Sequence, residues 1–270
     1  MAIYTVLGGK GFIGSKIVKQ LRASGYEVFV PEKDDTSIFK HDLGTVIYCV
    51  GHGDCKNKPF KVLDANILLL SRLLEKARFE KLIYISSTRV YMNQACSFEE
   101  SDLTISANDG RKLFNLTKLT AEEMCLMSGR STCIVRPSNV YGLALNSPLF
   151  LPAITRDAIN NGEINMYVDP LYEKDYVSVL DVAEIIVKIS NKMKFQGEIY
   201  NVASGVNISA KQIANVLQKE TGCKVNWHPC NNNEKFSIVP IDKIQSEFAF
   251  YPRNILDDLK SMINEFRKVL

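Results

Sequence analysis

The sequence has 270 residues, 46% of them apolar and 23% charged, ordinary globular values that exclude long disordered or low-complexity segments. With 33 basic and 30 acidic residues the net charge is +3, and no Lys/Arg run is dense enough to mark a nucleic-acid groove, so nucleic acid is excluded as a partner. No apolar run approaches the roughly 18 residues of a membrane span, and seven scattered cysteines suit a reducing compartment.

In chain order, Ile3–Leu7 reads as a first strand, running from Met1 and Ala2 with no signal-peptide pattern, so the expected location is cytoplasmic. A helix over 15–22 carries apolar residues at helical spacing and stops at Gly25. Further strands are expected over 27–30, 45–50, 81–86 and 132–137. Between them, helices are expected over 63–77, with Asp64 as a cap, and over 112–127. Alternating strands and helices predict an α/β fold with a doubly wound parallel sheet. After Gly142 the alternation breaks at Pro148, Pro152 and Pro170, and shorter elements follow: a helix over 181–192, a strand over 198–202 and a last helix over 255–269. The expected division is a cofactor domain over 1–142 that also receives parts of 175–203, and a smaller C-terminal α/β lobe from 143–174 and 204–270.

The turn Gly8-Gly9-Lys10-Gly11-Phe12-Ile13-Gly14 follows a strand and opens a helix, placing Gly8, Gly11 and Gly14 three apart. Glycine there lets the backbone turn tightly and approach a pyrophosphate held on helix N-terminal amides, with Phe12 and Ile13 supplying amides of the first turn. Glu32, about 20 residues on, can accept hydrogen bonds from an adenosine ribose. Lys10 and Lys33 can both meet a 2′-phosphate, so NAD and NADP both stand.

Several further strings follow in order: Val46–Gly51, Asn66, Ile85–Tyr91 with Ser87, 114–119 with Glu122, Arg136–Gly142, Lys174–Val177 with Asp181, and Ile199–Gly205. With the glycine turn they cover nearly the whole chain, which resembles the extended short-chain dehydrogenase/reductases, in particular the nucleotide-sugar epimerase/dehydratase/reductase branch. The resemblance implies a Rossmann sheet with a smaller substrate lobe and a hydride passed between a nicotinamide and a sugar carbon. It implies that Ser87 and Thr88 sit by the reacting oxygen, that Asn66 and Lys118 touch the cofactor, and that Asn139, Lys174 and Arg253 hold a nucleotide diphosphate. Relatives usually carry arginine where Lys174 stands, and a lysine gives charge without the bidentate fork. A lone serine such as Ser87 also commonly caps a backbone group.

The family keeps a tyrosine one helical turn before the lysine and uses it as general acid/base; here that position is Phe114, which has no proton to give. Losing such a group costs roughly 10²–10⁴ in rate. Three readings stand: a substitution that traps substrate in a normal enzyme, another acid such as Tyr91, Thr88 or a water chain, or a cofactor-binding regulatory protein without chemistry. Dehydratases of this kind carry Asp-Glu where Thr88-Arg89 stands, which argues against dehydration. The short segment 34–44 tilts the reading toward reduction of the C4 keto group of a nucleotide-linked keto-deoxy sugar, with a C4 epimerase as the alternative. The helices over 63–77 and 112–127 resemble the pair through which such enzymes form a homodimer by a four-helix bundle. Cys223, His228 and Cys230 lack a standard zinc spacing, so no metal is expected.

Overall fold

The β-branched and aromatic runs of the chain pair side by side in a six-stranded sheet of order β2 (Glu27–Phe29), β1 (Ile3–Leu7), β3 (Thr45–Tyr48), β4 (Lys81–Ile85), β5 (Thr132–Pro137) and β9 (Glu198–Val202), every neighbouring pair parallel. The structure is a computed structural model that describes residues 3–144, 147, 149–230 and 234–269; Met1, Ala2 and Pro148, read above, lie outside the described residues. β3 and β4 are buried at every position, as expected for parallel strands covered on both faces. This is the doubly wound α/β architecture that the alternation predicts, and segment 34–44 contributes a short 3-10 turn, Thr36–Phe39, and a single bridge from Asp42 to Arg78.

Helices cover the two faces. On one, α1 (Phe12–Ala23) packs with α6 (Val179–Ser190) over a core that includes Val6, Ile17, Leu21 and Ile186. On the other, α2 (Pro59–Leu63), a π turn (Asp64–Leu68) and α3 (Leu69–Lys76) form one continuous helical stretch beside α4 (Lys112–Met127), over Leu70, Leu73, Tyr84 and Ala121. Asp64 therefore lies inside the helical stretch and caps nothing: Pro59, whose fixed φ suits the first turn, starts it five residues earlier. α6 likewise begins two residues before the expected Asp181, because Ser178 accepts from the Leu180 amide and caps it.

The later residues build a second core. β6 (Asn139–Tyr141), β8 (Glu173–Ser178) and β10 (Asn207–Ser209) form a three-stranded sheet, and β7 (Glu163–Met166) pairs with β11 (Lys224–Trp227). Helices α5 (Phe150–Asn160), α7 (Ala210–Thr221) and α9 (Ile255–Val269) enclose Ile164, Ile213, Leu259 and Phe266, while α8 (Asp242–Phe248) packs back on β9. Among the described residues no helix is long and apolar enough to cross a membrane.

Candidate active site

The glycine turn closes over the ends of β1 and β3. Gly8 has φ +77°, and a Cβ there would stand 3.0 Å from the Cys49 carbonyl carbon; at Gly9 one would meet Val30 at 2.8 Å, and at Gly14 it would overlap the Gly8 carbonyl oxygen. Only glycine permits this approach. Gly11 caps α1 in extended conformation without a side-chain bond, and no acidic residue occupies the first turn, so the amides of Phe12, Ile13 and Gly14 face a cradle suited to an anion. At its outer edge the Lys10 ammonium pairs with the Glu32 carboxylate, both exposed, while Lys33 is exposed beside them.

Where β3 ends, the backbone of His52 is gripped by Asn66: its Oδ1 accepts from the His52 amide at 3.0 Å, and its Nδ2 donates to the His52 carbonyl at 3.3 Å and to Thr117 Oγ1 at 2.9 Å. Asn66 is fully buried, with 0% exposure. This corrects the expectation that it touches the cofactor: its amide is committed within the protein and positions the Gly51–Gly53 loop.

From Lys81 to Met92 every residue is buried except Ser87, which opens partly to solvent at the carboxyl end of β4. Its Oγ accepts from the Arg89 amide at 3.1 Å, capping the 3-10 turn Thr88–Tyr91. The hydroxyl proton stays available, so Ser87 both caps and can donate to a ligand oxygen. Thr88 is buried within that turn.

A buried polar network backs the turn. Arg136 donates to both Glu122 oxygens, the shortest contact 2.6 Å, and to Tyr91 Oη at 2.5 Å; Ser86 donates to Glu122, and Tyr91 donates to Asn201 Oδ1 at 3.0 Å. Tyr91, weighed above as a substitute acid, is thus bound into the support, and burial pushes its hydroxyl up to about 12.

On α4, Lys118 lies beneath Ser87's strand. Its ammonium donates to the Ile85 carbonyl at 2.8 Å and stands 4.8 Å from the centre of the Tyr84 ring and 5.8 Å from that of Phe114. Burial lowers its pKa to about 8 against the pull of Glu122, which favours the charged form. The Phe114 ring is covered by the Arg111 guanidinium at 5.0 Å and faces Gly53, whose added Cβ would lie 3.9 Å from it.

Toward the second core, the β6–β8 pairing sets Asn139 opposite Tyr176, and Asn139 donates to the Asp175 carbonyl at 2.8 Å, next to Lys174. Asp175 itself is buried and binds Ser138, Ser204 and the Gly205 amide, fixing this edge. Lys174 lies 3.9 Å from Glu234, which also receives Tyr172 at 3.0 Å and Arg89 at 2.8 Å. Burial lowers the Lys174 pKa to about 8. Arg253 pairs instead with Asp181 at the start of α6, away from this group of contacts. His228 stacks on Tyr167 and hydrogen-bonds Asn165, at 4.6 and 2.8 Å, and among the described residues no three or more His, Cys, Asp or Glu side chains group as metal ligands would.

The fold thus gathers Ser87, Phe114 and Lys118, and sets Asn139 beside Lys174. Sequence reasoning missed Arg111, Asp109 and Glu234. Asp109-Gly110-Arg111 carried a turn signal just before α4, whereas nothing in the sequence tied Glu234 to Arg89, 145 residues away.

The family model for the NAD dependent epimerase/dehydratase family matches residues 4–203. The chain belongs to this family. A dTDP-4-dehydro-6-deoxy-D-allose reductase of Streptomyces sp is 24% identical over 264 residues, covering 80% of each chain. UDP-glucose 4-epimerase 4 of Oryza sativa subsp. japonica is 26% identical, covering 82% of this chain and 77% of its own. In fold, the family member is similar to MoeE5 in complex with UDP-glucuronic acid and NAD, with a TM-score of 0.87 at 21% identity over 100% of both chains.

Proposed function

We propose that this chain binds NAD(H) and a nucleotide-linked sugar and is built to reduce the sugar's C4 keto group, with its proton-donor position blocked by Phe114. The observation that carries the reading is the convergence of the open Ser87 hydroxyl, the buried Lys118 ammonium and the Phe114 ring at the carboxyl ends of β4 and the start of α4. The glycine turn fits a dinucleotide diphosphate, because Gly8, Gly9 and Gly14 pack so tightly against Cys49, Val30 and the Gly8 carbonyl that the turn stays closed in front of the α1 amides. Gly8, Gly11, Phe12, Ile13 and Gly14 hold the cofactor there, with Glu32 at the ribose end. We favour NADH over NADPH because Glu32 sits where a 2′-phosphate would lie and engages Lys10, so that lysine is not free to balance an added phosphate.

The bound reduced cofactor supplies the hydride that the sugar's C4 carbon accepts. Ser87 donates a hydrogen bond to the carbonyl oxygen as negative charge grows on it. That oxygen must also receive a proton, and Phe114 has none. Lys118 holds a positive charge beside both groups. Residues 1–142 with parts of 175–203 form the cofactor domain, and the diphosphate is held where it meets the remaining lobe, by Asn139 and Lys174. Exposed Leu63, Leu68, Leu116, Leu126 and Met127 on the α2–α3 stretch and α4 form a face for a homodimeric four-helix bundle.

The test is NADH and NADPH oxidation with a panel of nucleotide-linked 4-keto sugars, comparing this chain with Phe114→Tyr. A large rate increase in the tyrosine form supports the reductase. No turnover by either form, with cofactor bound, overturns it and leaves a C4 epimerase, which consumes no net NADH, to be assayed before a binding protein.

A further inference from the structure

Two arginines stand at the reacting end of the cleft, beside Ser87 and Phe114. Arg89 follows Ser87 by two residues; its side chain is 9% exposed, and its Nη2 donates to Asp109 at 2.9 Å and Glu234 at 2.8 Å, while its buried Nε has no partner among the described residues. The Arg111 guanidinium lies on the Phe114 ring, and no carboxylate among the described residues hydrogen-bonds it. Lys174 completes the group from the diphosphate side, 3.9 Å from Glu234. Three cations therefore surround two carboxylates. One of these, Asp109, is fixed: it also accepts from the Arg111 amide at 2.8 Å and from Asn115 at 3.0 Å. The other, Glu234, reaches in from outside the reacting strands and bridges Arg89 to Lys174.

Arg89 and Lys174 share Glu234, so the cation group is compact, and within it Arg89 and Arg111 are the members that flank Ser87 and Phe114. The reacting part of the hexose must lie next to these two guanidinium groups. A 6-deoxy sugar would put only apolar and hydroxyl groups against two incompletely paired guanidinium groups, whereas a carboxylate matches their fork and charge. We propose that Arg89 and Arg111 form an anion subsite for a carboxylate carried by the sugar ring, and that Glu234 occupies the cation group in the sugar's absence. The substrate class is then a nucleotide-linked acidic sugar of the uronate type. This rests on the reading of the cleft as a nucleotide-sugar site, and replaces the keto-deoxy sugar expected from sequence.

The experiment is calorimetric titration of the NAD-loaded chain with UDP-glucuronate and with UDP-glucose, which differ only at C6. The expected result is roughly tenfold or more tighter binding of the uronate, an advantage that shrinks at high salt. Arg111 is exposed and makes no side-chain hydrogen bond to a carboxylate, so Arg111→Gln should fold. In that variant the uronate advantage should fall to about threefold or less. Lys188→Gln, in a surface pair with Glu184 on α6, should leave it intact. Equal affinities in the parent chain overturn the subsite and leave the C4 reaction standing. A uronate advantage that survives Arg111→Gln also overturns it. Failure of both sugars to bind, with NAD bound, overturns the subsite and the nucleotide-sugar reading together.

Discussion

The Lys118 ammonium stands 5.8 Å from the centre of the Phe114 ring, one helical turn along α4. A tyrosine at 114 would put its phenol near that charge, which lowers a phenol's pKa and suits it to proton transfer near neutral pH. Phe114→Tyr is therefore expected to raise turnover by roughly 10²–10⁴ at saturating cofactor, with little change in cofactor affinity. Stopped-flow oxidation of NADH measures both, and an unchanged rate would remove residue 114 from the proton path.

The charge on Lys118 sets a pH dependence. Its pKa is lowered from 10.5 to about 8 by burial, so the folded chain releases this proton before the unfolded chain does. The unfolded state then binds more protons between pH 8 and 10.5, and Lys118's contribution to stability rises with pH across that window and is lost as pH falls through 8. NADH affinity should move the opposite way, weakening above about pH 8 as the ammonium loses its proton. Fluorescence titrations from pH 6.5 to 9.5 check this, since Lys118→Met should bind weakly and without that slope.

Much of this site was legible because it follows the chain's own periodicities. β1, β5, β9, α4 and α9 begin and end where alternation or helical spacing says they should, and the glycine turn sits between a strand and a helix as its spacing requires. β2 stops at Phe29, one residue early, because Pro31 has no amide for the ladder. What stayed unread depends on distant segments meeting. The π turn at Asp64–Leu68 turns Asn66 inward to His52 and Thr117, and no local pattern marks such a turn. Glu234 and Arg89 meet only because the second core folds back over the end of β4.

The buried support behind Ser87 should be costly to break. Glu122 and Arg136 side chains are each 4% exposed and joined through three nitrogen–oxygen contacts, so Glu122→Ala strands a buried guanidinium. Losing one partner of such a pair costs about 3–5 kcal/mol. Urea unfolding should show that loss, and Tyr91→Phe, which removes one of Arg136's bonds, should cost about 1–3 kcal/mol.

The glycine cradle separates folding from binding. A methyl group at Gly14 would overlap the Gly8 carbonyl oxygen, and the turn can relieve that only by opening away from the α1 amides. Gly14→Ala is expected to abolish detectable cofactor binding while the second core, formed by α5, α7 and α9, retains its packing. Gly25, with φ +82° and no atom within 4 Å of an added Cβ, serves as the comparison: Gly25→Ala strains the backbone after α1 yet leaves the cradle untouched. Its effect should therefore appear in thermal unfolding and not in the NADH dissociation constant. Equal losses of affinity in the two variants would mean that general destabilisation, rather than closure of the cradle, governs cofactor binding.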